Sequence, residues 1–361
     1  MNNSSISFVQ LVMIMMLSTG LMNHVIIIPI LVDTAKRDAW ISVLAAGGLA
    51  FVWIGLLYLA IAKMVKQHVF QWITRTYHPV AGHILAIIAC IYMLVLCGIT
   101  TRDTVTWIRL TFSPQTPNVI IAIILVIVCA ANAYMGLRSL ANTAGILLPF
   151  VVLLGFFVML ANVPHKNYTL LRPFLEHGMQ PVWDGAVYAG AGFVEVIMIL
   201  FVYHRIRSKI SFASLMLLMF ILIGLTLGPL MGAIIEFGPD QAAKLRYPAY
   251  EEWRLVIIGQ YIEHVDFFSI YQWFCGAFLR ISLTMYLILE IFRWNGKFKV
   301  WALAFITSAM VYLSVMPVSD PLFLDALAHY VLPWIVWTMI GYSLVIVILI
   351  YVPHLRRDAK S

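Results

Sequence analysis

Apolar runs long enough to cross a lipid bilayer recur along the whole chain, and short polar segments separate them. A hydrocarbon core about 30 Å thick needs about 20 apolar residues of helix. The sequence therefore predicts an all-α polytopic membrane protein in which residues 1–361 form one transmembrane domain. Its ten predicted spans are at about 8–31, 40–62, 82–110, 118–135, 140–162, 182–204, 212–236, 260–292, 298–316 and 332–352.

The composition excludes most soluble classes of protein. Hydrophobic residues make up 63% of the chain and charged residues only 11%, whereas a soluble domain carries roughly 25% charged residues. The chain lacks the polar surface that a cytosolic enzyme, a nucleic-acid-binding protein or a disordered scaffold requires. The formal net charge of +7 is therefore interpreted through membrane topology rather than through nucleic-acid binding.

The distribution of basic residues predicts the orientation. If the N-terminus is cytoplasmic, the cytoplasmic segments hold most of the lysines and arginines, whereas the outer loops mix both signs of charge. By the positive-inside rule both termini are then cytoplasmic. The segment Val65–Thr76, with Lys66, Arg75, Phe70 and Trp72, is predicted to form an amphipathic helix at the membrane surface.

Small and polar residues interrupt the first and sixth spans near their midpoints. Span 1 contains Ser18-Thr19-Gly20-Leu21-Met22-Asn23-His24, and span 6 contains Gly185, Gly190 and Gly192. Interruptions at matching positions of two halves are typical of transporters with an inverted five-plus-five repeat and broken helices 1 and 6. The alternatives are a kink in span 1 and close helix packing at the glycines.

Two charged residues are predicted to lie deep in the membrane. Glu195 follows the glycines of span 6, and Arg280 is surrounded by apolar residues in span 8 with Thr284 one turn later. Because a charge at this depth requires a partner, we expect Glu195 and Arg280 to form a buried charge pair, or Glu195 to be a proton site. The sequence leaves open whether Arg280 is structural or binds the carboxylate of a ligand.

The sequence contains no motif for catalysis, a metal or a cofactor. A P-loop, a zinc motif, a nucleophile elbow and a kinase set are all missing. His24 has no metal-ligating partner at helical spacing, so it is not predicted to bind a metal. Arg102 and Asp103 in span 3 are expected to form a local charge pair. We therefore predict no enzyme activity, no metal and no cofactor.

Motifs spread along nearly the whole chain have an order and spacing typical of one protein family. They are Pro29, Asp38-Ala39-Trp40-Ile41, Leu171-Arg172-Pro173, Gly178, Pro181-Val182, Phe193-Val194-Glu195, Tyr247-Pro248, Ile257-Ile258-Gly259, Ile262-Glu263, Asp266 and Trp273. Together they resemble the B-subunit family of spore germination receptors. This resemblance implies a ten-span member of the amino-acid–polyamine–cation transporter superfamily.

The resemblance also implies a function and a site. Such B subunits lie in the inner membrane of bacterial spores with an A subunit and a lipoprotein C subunit. They bind a small nutrient, often an amino acid, between spans 1, 3, 6 and 8. Carried onto this chain, the ligand-binding residues are Gly20, Met22, Asn23, His24, Leu96, Ala191, Gly192, Phe193, Arg280 and Thr284.

Two departures from the family pattern affect the expected ligand. Met22, Asn23 and His24 stand where relatives usually place glycine, and Arg280 stands where an uncharged residue is usual. They imply a larger, more polar or anionic nutrient, or a pocket filled by the Glu195–Arg280 pair. The alternative functions are an autonomous proton- or cation-coupled amino-acid transporter and a structural subunit with a vestigial pocket.

Overall fold

The predicted all-α membrane fold with ten spans is confirmed in a computed structural model. This structure describes residues 5–64, 66–259 and 264–358, the last seven as backbone only. In those residues ten helices are long and apolar enough to cross a membrane. They are Phe8–Leu21 continued by Met22–Ile26 and Ile28–Ala35 (span 1), Ala39–Lys63 (span 2), Pro79–Thr111 (span 3), Asn118–Met135 (span 4), Leu137–Ala161 (span 5), Gln180–Phe193 continued by Val194–Ile197 and Met198–Val202 (span 6), Phe212–Phe237 (span 7), Phe268–Phe292 (span 8), Gly296–Val315 (span 9) and Asp320–Ala326 continued by Leu327–Val331 and Leu332–Asp358 (span 10).

Shorter elements connect the spans at both ends of the molecule. The predicted surface helix extends over Val69–Thr76, and Val65 lies outside the described residues. A second short helix, Pro248–Arg254, lies between spans 7 and 8. The predicted start of span 8 at residue 260 falls in a stretch outside the described residues, and the helix itself begins at Phe268.

Spans 1, 6 and 8 form the centre of the molecule. In spans 6 and 8, 83% of the most apolar stretch of 18 residues is buried inside the protein, and in span 1 the buried share of that stretch is 67%. In span 5 the share is only 17%, so most of that helix faces outward. The three spans that carry polar residues at mid-length are therefore the ones with the most protein around them.

Spans 1 and 6 both depart from α-helical geometry close to the predicted interruptions. Met22–Ile26 is a π-helical turn in which Ile27 N donates to Met22 O over 3.1 Å. Val194–Ile197 is a 3-10 turn. Such local changes in helical pitch re-aim side chains and occur often at functional sites. Span 10 also contains a π turn, at Leu327–Val331, so the irregularity does not by itself establish a repeat, which stays a prediction.

Candidate functional site

A buried ion pair joins spans 6 and 8 at the centre of the molecule. Arg280 Nη2 donates to Glu195 Oε1 over 2.5 Å, and Nη1 donates to Glu195 Oε2 over 2.6 Å. Both side chains are 0% exposed. This bidentate geometry is the strongest arrangement available to a guanidinium and a carboxylate. The 3-10 turn of span 6 carries Glu195 and therefore sets its direction.

Arg280 also bonds to spans 1 and 3. Its Nε donates to Thr100 Oγ1 over 2.8 Å, and Nη1 donates to the carbonyl oxygen of Ser18 over 3.0 Å. All three nitrogens of the guanidinium thus have partners in the protein, and one side chain connects four helices. Of the alternatives that the sequence left open, the structure contains the charge pair between Glu195 and Arg280.

Spans 1 and 6 are in close contact at Gly192. A Cβ atom at this position would lie 1.6 Å from Asn23 Oδ1, so a larger residue fits here only if the Asn23 side chain moves. Asn23 is fully buried, and neither atom of its amide group has a hydrogen-bond partner among the described residues. The hydroxyl group of Ser18 is also buried without a described partner. Most buried polar groups are bonded, so these interior groups are candidates for ligand or water contact.

A separate cavity of about 390 Å³ opens on the other face of span 1; we call it the central cavity. Its volume falls within the range of about 300–1,000 Å³ common for small-molecule sites. Most of its lining is apolar, from spans 1, 5, 7 and 8 and the short helix Pro248–Arg254. The residues that the argument below uses are Gly20, His24, Gly224, Glu252, Trp253, Gln272 and Trp273.

The predicted ligand-binding residues fall into two groups in space. Gly20 and His24 line the central cavity, and His24 Nδ1 lies 3.1 Å from the carbonyl oxygen of Leu225. The remaining residues do not line this cavity and are buried in the protein: Met22, Asn23, Leu96, Ala191, Gly192, Phe193, Arg280 and Thr284. Thr284 Oγ1 donates to the carbonyl oxygens of Arg280 and Ile281 in its own helix.

Glu252 is a site residue that the sequence analysis missed. It is 7% exposed and lines the central cavity, and its Oε1 has no hydrogen-bond partner among the described residues. Burial raises the pKa of Glu252 well above its usual range, and the nearby carboxyl group of Glu236 raises this pKa further. The only signal in the sequence was an acidic residue beside Trp253 in an outer loop, and loops commonly carry exposed acids.

The effect of Glu252 on stability is expected to depend on pH. Because its pKa is higher in the folded protein than the usual value of about 4.5, the carboxyl group contributes stability that is fully present below pH 4.5 and is lost as pH rises through the folded pKa. Glu252→Gln, which cannot ionise, should therefore raise the melting temperature by a few degrees at pH 8 and not at pH 4.5. Thermal unfolding in detergent measures this. Glu251→Gln, in the same helix but more exposed, is the control, and an equal gain at both pH values would contradict the prediction.

The predicted local pair between Arg102 and Asp103 does not form. Asp103 Oδ1 instead accepts from Arg246 Nη2 over 2.6 Å, and Arg246 Nε donates to Asp320 Oδ2 over 2.6 Å. Arg102 bonds to the carbonyl oxygens of Met316 and Val318. Adjacent residues on a helix project in different directions, so Asp103 reaches a loop residue distant in the chain rather than its neighbour.

Comparison with known protein families decides the classification. Residues 4–324 match the family described as "Spore germination protein". The chain belongs to this family. The family match covers spans 1–9 and the segments between them, whereas most of span 10 lies beyond it. These nine spans and their connecting segments are thus those of a multi-pass membrane protein of spore germination. The relatives below carry the same description and are not described as enzymes.

Individual relatives show the same relationship over long alignments. Spore germination protein XB of Bacillus anthracis is 41% identical over 355 residues, which cover 98% of this chain and 100% of that protein. Spore germination protein A2 of Bacillus subtilis (strain 168) is 24% identical over 78% of each chain. Spore germination protein KB of the same organism is 22% identical over 70% of this chain and 69% of that protein.

Proposed function

We propose that this family member is the nutrient-sensing membrane subunit of a spore germination receptor and that the nutrient binds in the central cavity. The observation that carries the proposal is that span 1 separates this cavity from the buried ion pair. Met16, Leu17, Gly20 and His24 face the cavity, whereas the carbonyl oxygen of Ser18 accepts from Arg280. A ligand on one face of this helix thus acts on the same backbone that the four-helix network holds.

The π turn of span 1 offers a way for binding to change the structure. Met22–Ile26 follows directly on Leu21 and carries both His24, which faces the cavity, and Asn23, which contacts Gly192. A ligand that favours one pitch of this turn would move Asn23 against span 6. A change of state requires such a difference in binding free energy between two conformations.

The cavity lining favours a ligand with an amine and an apolar body. Its buried carboxyl group, Glu252, has a free oxygen, and Trp253 and Trp273 supply apolar surface. Arg280, which would have favoured an anionic nutrient, is already bonded to Glu195. An amino acid with an apolar side chain supplies both required features. Its ammonium group donates to Glu252 Oε1, and this positive charge favours the ionised form of the carboxyl group, as the charge of Lys166 in the same lining also does.

The cellular setting belongs to the same proposal. The distribution of basic residues supports cytoplasmic termini. A place in the spore inner membrane beside an A subunit and a lipoprotein C subunit is what the resemblance to B subunits of germination receptors implies. The transporter alternative requires a path for a solute or a proton. Uptake of labelled amino acid into liposomes that contain only this chain would support that alternative.

Filling the central cavity should abolish the response to the nutrient without unfolding the protein. Gly224 lines the cavity, and a Cβ at this position would meet no atom within 4 Å, so Gly224→Leu places a side chain in open cavity space. We expect the nutrient concentration for half-maximal germination to rise at least about tenfold in spores tested with a panel of apolar amino acids.

Gly48→Leu is the matched control, because a Cβ at Gly48 also meets no atom within 4 Å and Gly48 does not line the cavity. Both variants must be present in spore membranes at the wild-type level. A normal dose-response curve for Gly224→Leu would reject the central cavity as the nutrient site.

A further inference from the structure

A second cavity, of about 540 Å³, lies at the C-terminal end of span 6, and we call it the basic cavity. It is lined by Ser5, Lys66, Gln67, His68, Gln71, Arg75, His204, Arg205, Ile206, Arg207 and Arg293. These residues come from the start of span 1, the surface helix and the ends of spans 2, 6 and 8. By the positive-inside rule this is the cytoplasmic end of the protein.

The positive charge of the basic cavity is only partly neutralised. Five of its lining residues are lysine or arginine, and none of those described is acidic. Glu290, behind the lining, accepts from Arg205 Nε over 2.8 Å and from His204 Nε2 over 2.7 Å. One carboxylate thus lies behind a lining that contains five cations. Positive charges that share a cavity with low-dielectric walls raise the local concentration of an anion.

The arginines at the mouth have donors to spare. The side chain of Arg75 is exposed and makes no hydrogen bond or ion pair with another described residue. Arg293 is also exposed, and its Nη1 donates to Gln71 over 2.9 Å. A guanidinium has five N–H donors in a planar fork that matches the oxygens of a phosphate group. The guanidinium groups of Arg75 and Arg293 and the charged amine of Lys66 therefore lie around the entrance of the basic cavity.

Two histidine atoms at the base of the cavity lack partners. Nδ1 of His68 and Nδ1 of His204 are buried without a hydrogen-bond partner in the described residues, and His68 is 6% exposed. His68 Nε2 donates to the carbonyl oxygen of Glu290 over 2.9 Å, which leaves Nδ1 as an acceptor for a hydroxyl group. Burial and the neighbouring His204 lower the pKa of His68 to about 4, so this ring is neutral at pH 7.

A metal ion fits this place poorly. Atoms of His68, His204 and Glu290 that could ligate a metal lie within 4.8 Å of one another. Both Nε2 atoms, however, carry the proton that they donate to Glu290, and Arg205 occupies the same carboxylate oxygen as His204. A divalent cation would also be repelled by the five basic residues around it.

We propose that the basic cavity binds the phosphate group of an anionic ligand at the cytoplasmic surface of the membrane. The cations surround the phosphate, and Nδ1 of His68 accepts from a hydroxyl group beside it. A lipid headgroup and a free phosphate compound share this chemistry. The site is separate from the central cavity and does not depend on the nutrient.

The test uses the full-length protein in nanodiscs of zwitterionic lipid, titrated with inorganic phosphate by isothermal calorimetry. We expect binding that weakens at least about tenfold in the variant Arg75→Gln/Arg293→Gln, which loses two charge-assisted contacts. Lys209→Gln/Lys297→Gln is the control, because it removes the same charge from exposed residues outside the lining. Its phosphate affinity should change less than about twofold.

A second series contains phosphatidylglycerol in the nanodiscs. Phosphate binding that disappears there would identify a lipid headgroup as the occupant, and unchanged binding would identify a soluble phosphate compound. The proposal is overturned if phosphate binds in neither lipid, if the two double variants bind it equally, or if Zn²⁺ binds and phosphate does not. Equal melting temperatures of the two variants exclude unfolding as the cause of weaker binding.

Discussion

Replacing Glu195 with leucine is expected to lower the free energy of unfolding by about 3–5 kcal/mol, the usual cost of removing one partner of a buried ion pair. The variant leaves the guanidinium of Arg280 in a place that is 0% exposed. Its bonds to Thr100 and to the carbonyl oxygen of Ser18 remain, but neither group carries a compensating charge. Arginine keeps its proton in a protein. The unpaired charge therefore cannot be neutralised, and its full cost lowers the free energy of unfolding.

The opposite variant, Arg280→Met, should cost less. A carboxyl group left alone in the interior can take up a proton and become neutral, whereas a guanidinium cannot. The double variant Glu195→Leu/Arg280→Met removes both charges, and it should be more stable than Glu195→Leu alone. Thermal unfolding of the purified variants in detergent, together with their abundance in spore membranes, measures this order.

The double variant also separates stability from signalling. If the ion pair only holds the helices together, spores with a stable double variant should germinate normally. If the pair transmits the nutrient signal from span 1, these spores should contain the protein and respond weakly. Equal stability of the two single variants would contradict the argument from charge.

Much of the fold could be predicted from the sequence because the bilayer imposes a simple rule. An apolar run of fixed length forms a helix, and charges in the connecting segments orient it. The same rule made Glu195 and Arg280 conspicuous, since each is costly in lipid without a partner. Their pairing followed from there being few candidates at that depth. The amphipathic pattern likewise predicted the surface helix at Val69–Thr76.

The parts that the sequence did not reveal depend on contacts between distant loops and helix ends. Glu252 is buried because the short helix Pro248–Arg254 folds against Gly232 of span 7, where a Cβ would lie 2.8 Å from Glu252 Oε1. The pair between Asp103 and Arg246 joins residues 143 positions apart. In water-exposed segments acidic and basic residues are ordinary, so no single position there signals a buried role.

The positions of the candidate ligand residues were likewise predicted only in part from the sequence. The sequence predicted an interruption of span 1 at Gly20 to His24, because small and polar residues in an apolar helix are unusual. The π turn extends over Met22–Ile26, and Gly20 and Leu21 belong to the regular α-helix before it. The sequence could not show that alternate faces of this segment have different neighbours. His24 faces the central cavity and Asn23 faces Gly192, and this separation depends on the pitch of the π turn.

Gly192→Ala is expected to destabilise the contact between spans 1 and 6. The added methyl group would lie 1.6 Å from Asn23 Oδ1, and Asn23 is fully buried between spans 1 and 6. Overpacking of this kind costs about 1–3 kcal/mol, and more where the backbone cannot move. We expect a lower melting temperature in detergent and a smaller amount of protein in spore membranes.

Gly190→Ala is the matched control, two residues earlier in the same helix. A Cβ at Gly190 would lie 3.6 Å from Val336 Cγ2, an ordinary contact, and alanine is favoured over glycine in a helix by about 1 kcal/mol. This variant should therefore be as stable as the wild type or slightly more stable. Rescue of Gly192→Ala by Asn23→Ala would assign the damage to the contact between spans 1 and 6. Equal melting temperatures for Gly192→Ala and Gly190→Ala would show that spans 1 and 6 can separate at this point. That result would contradict the proposal that Asn23 transmits a movement of span 1 to span 6.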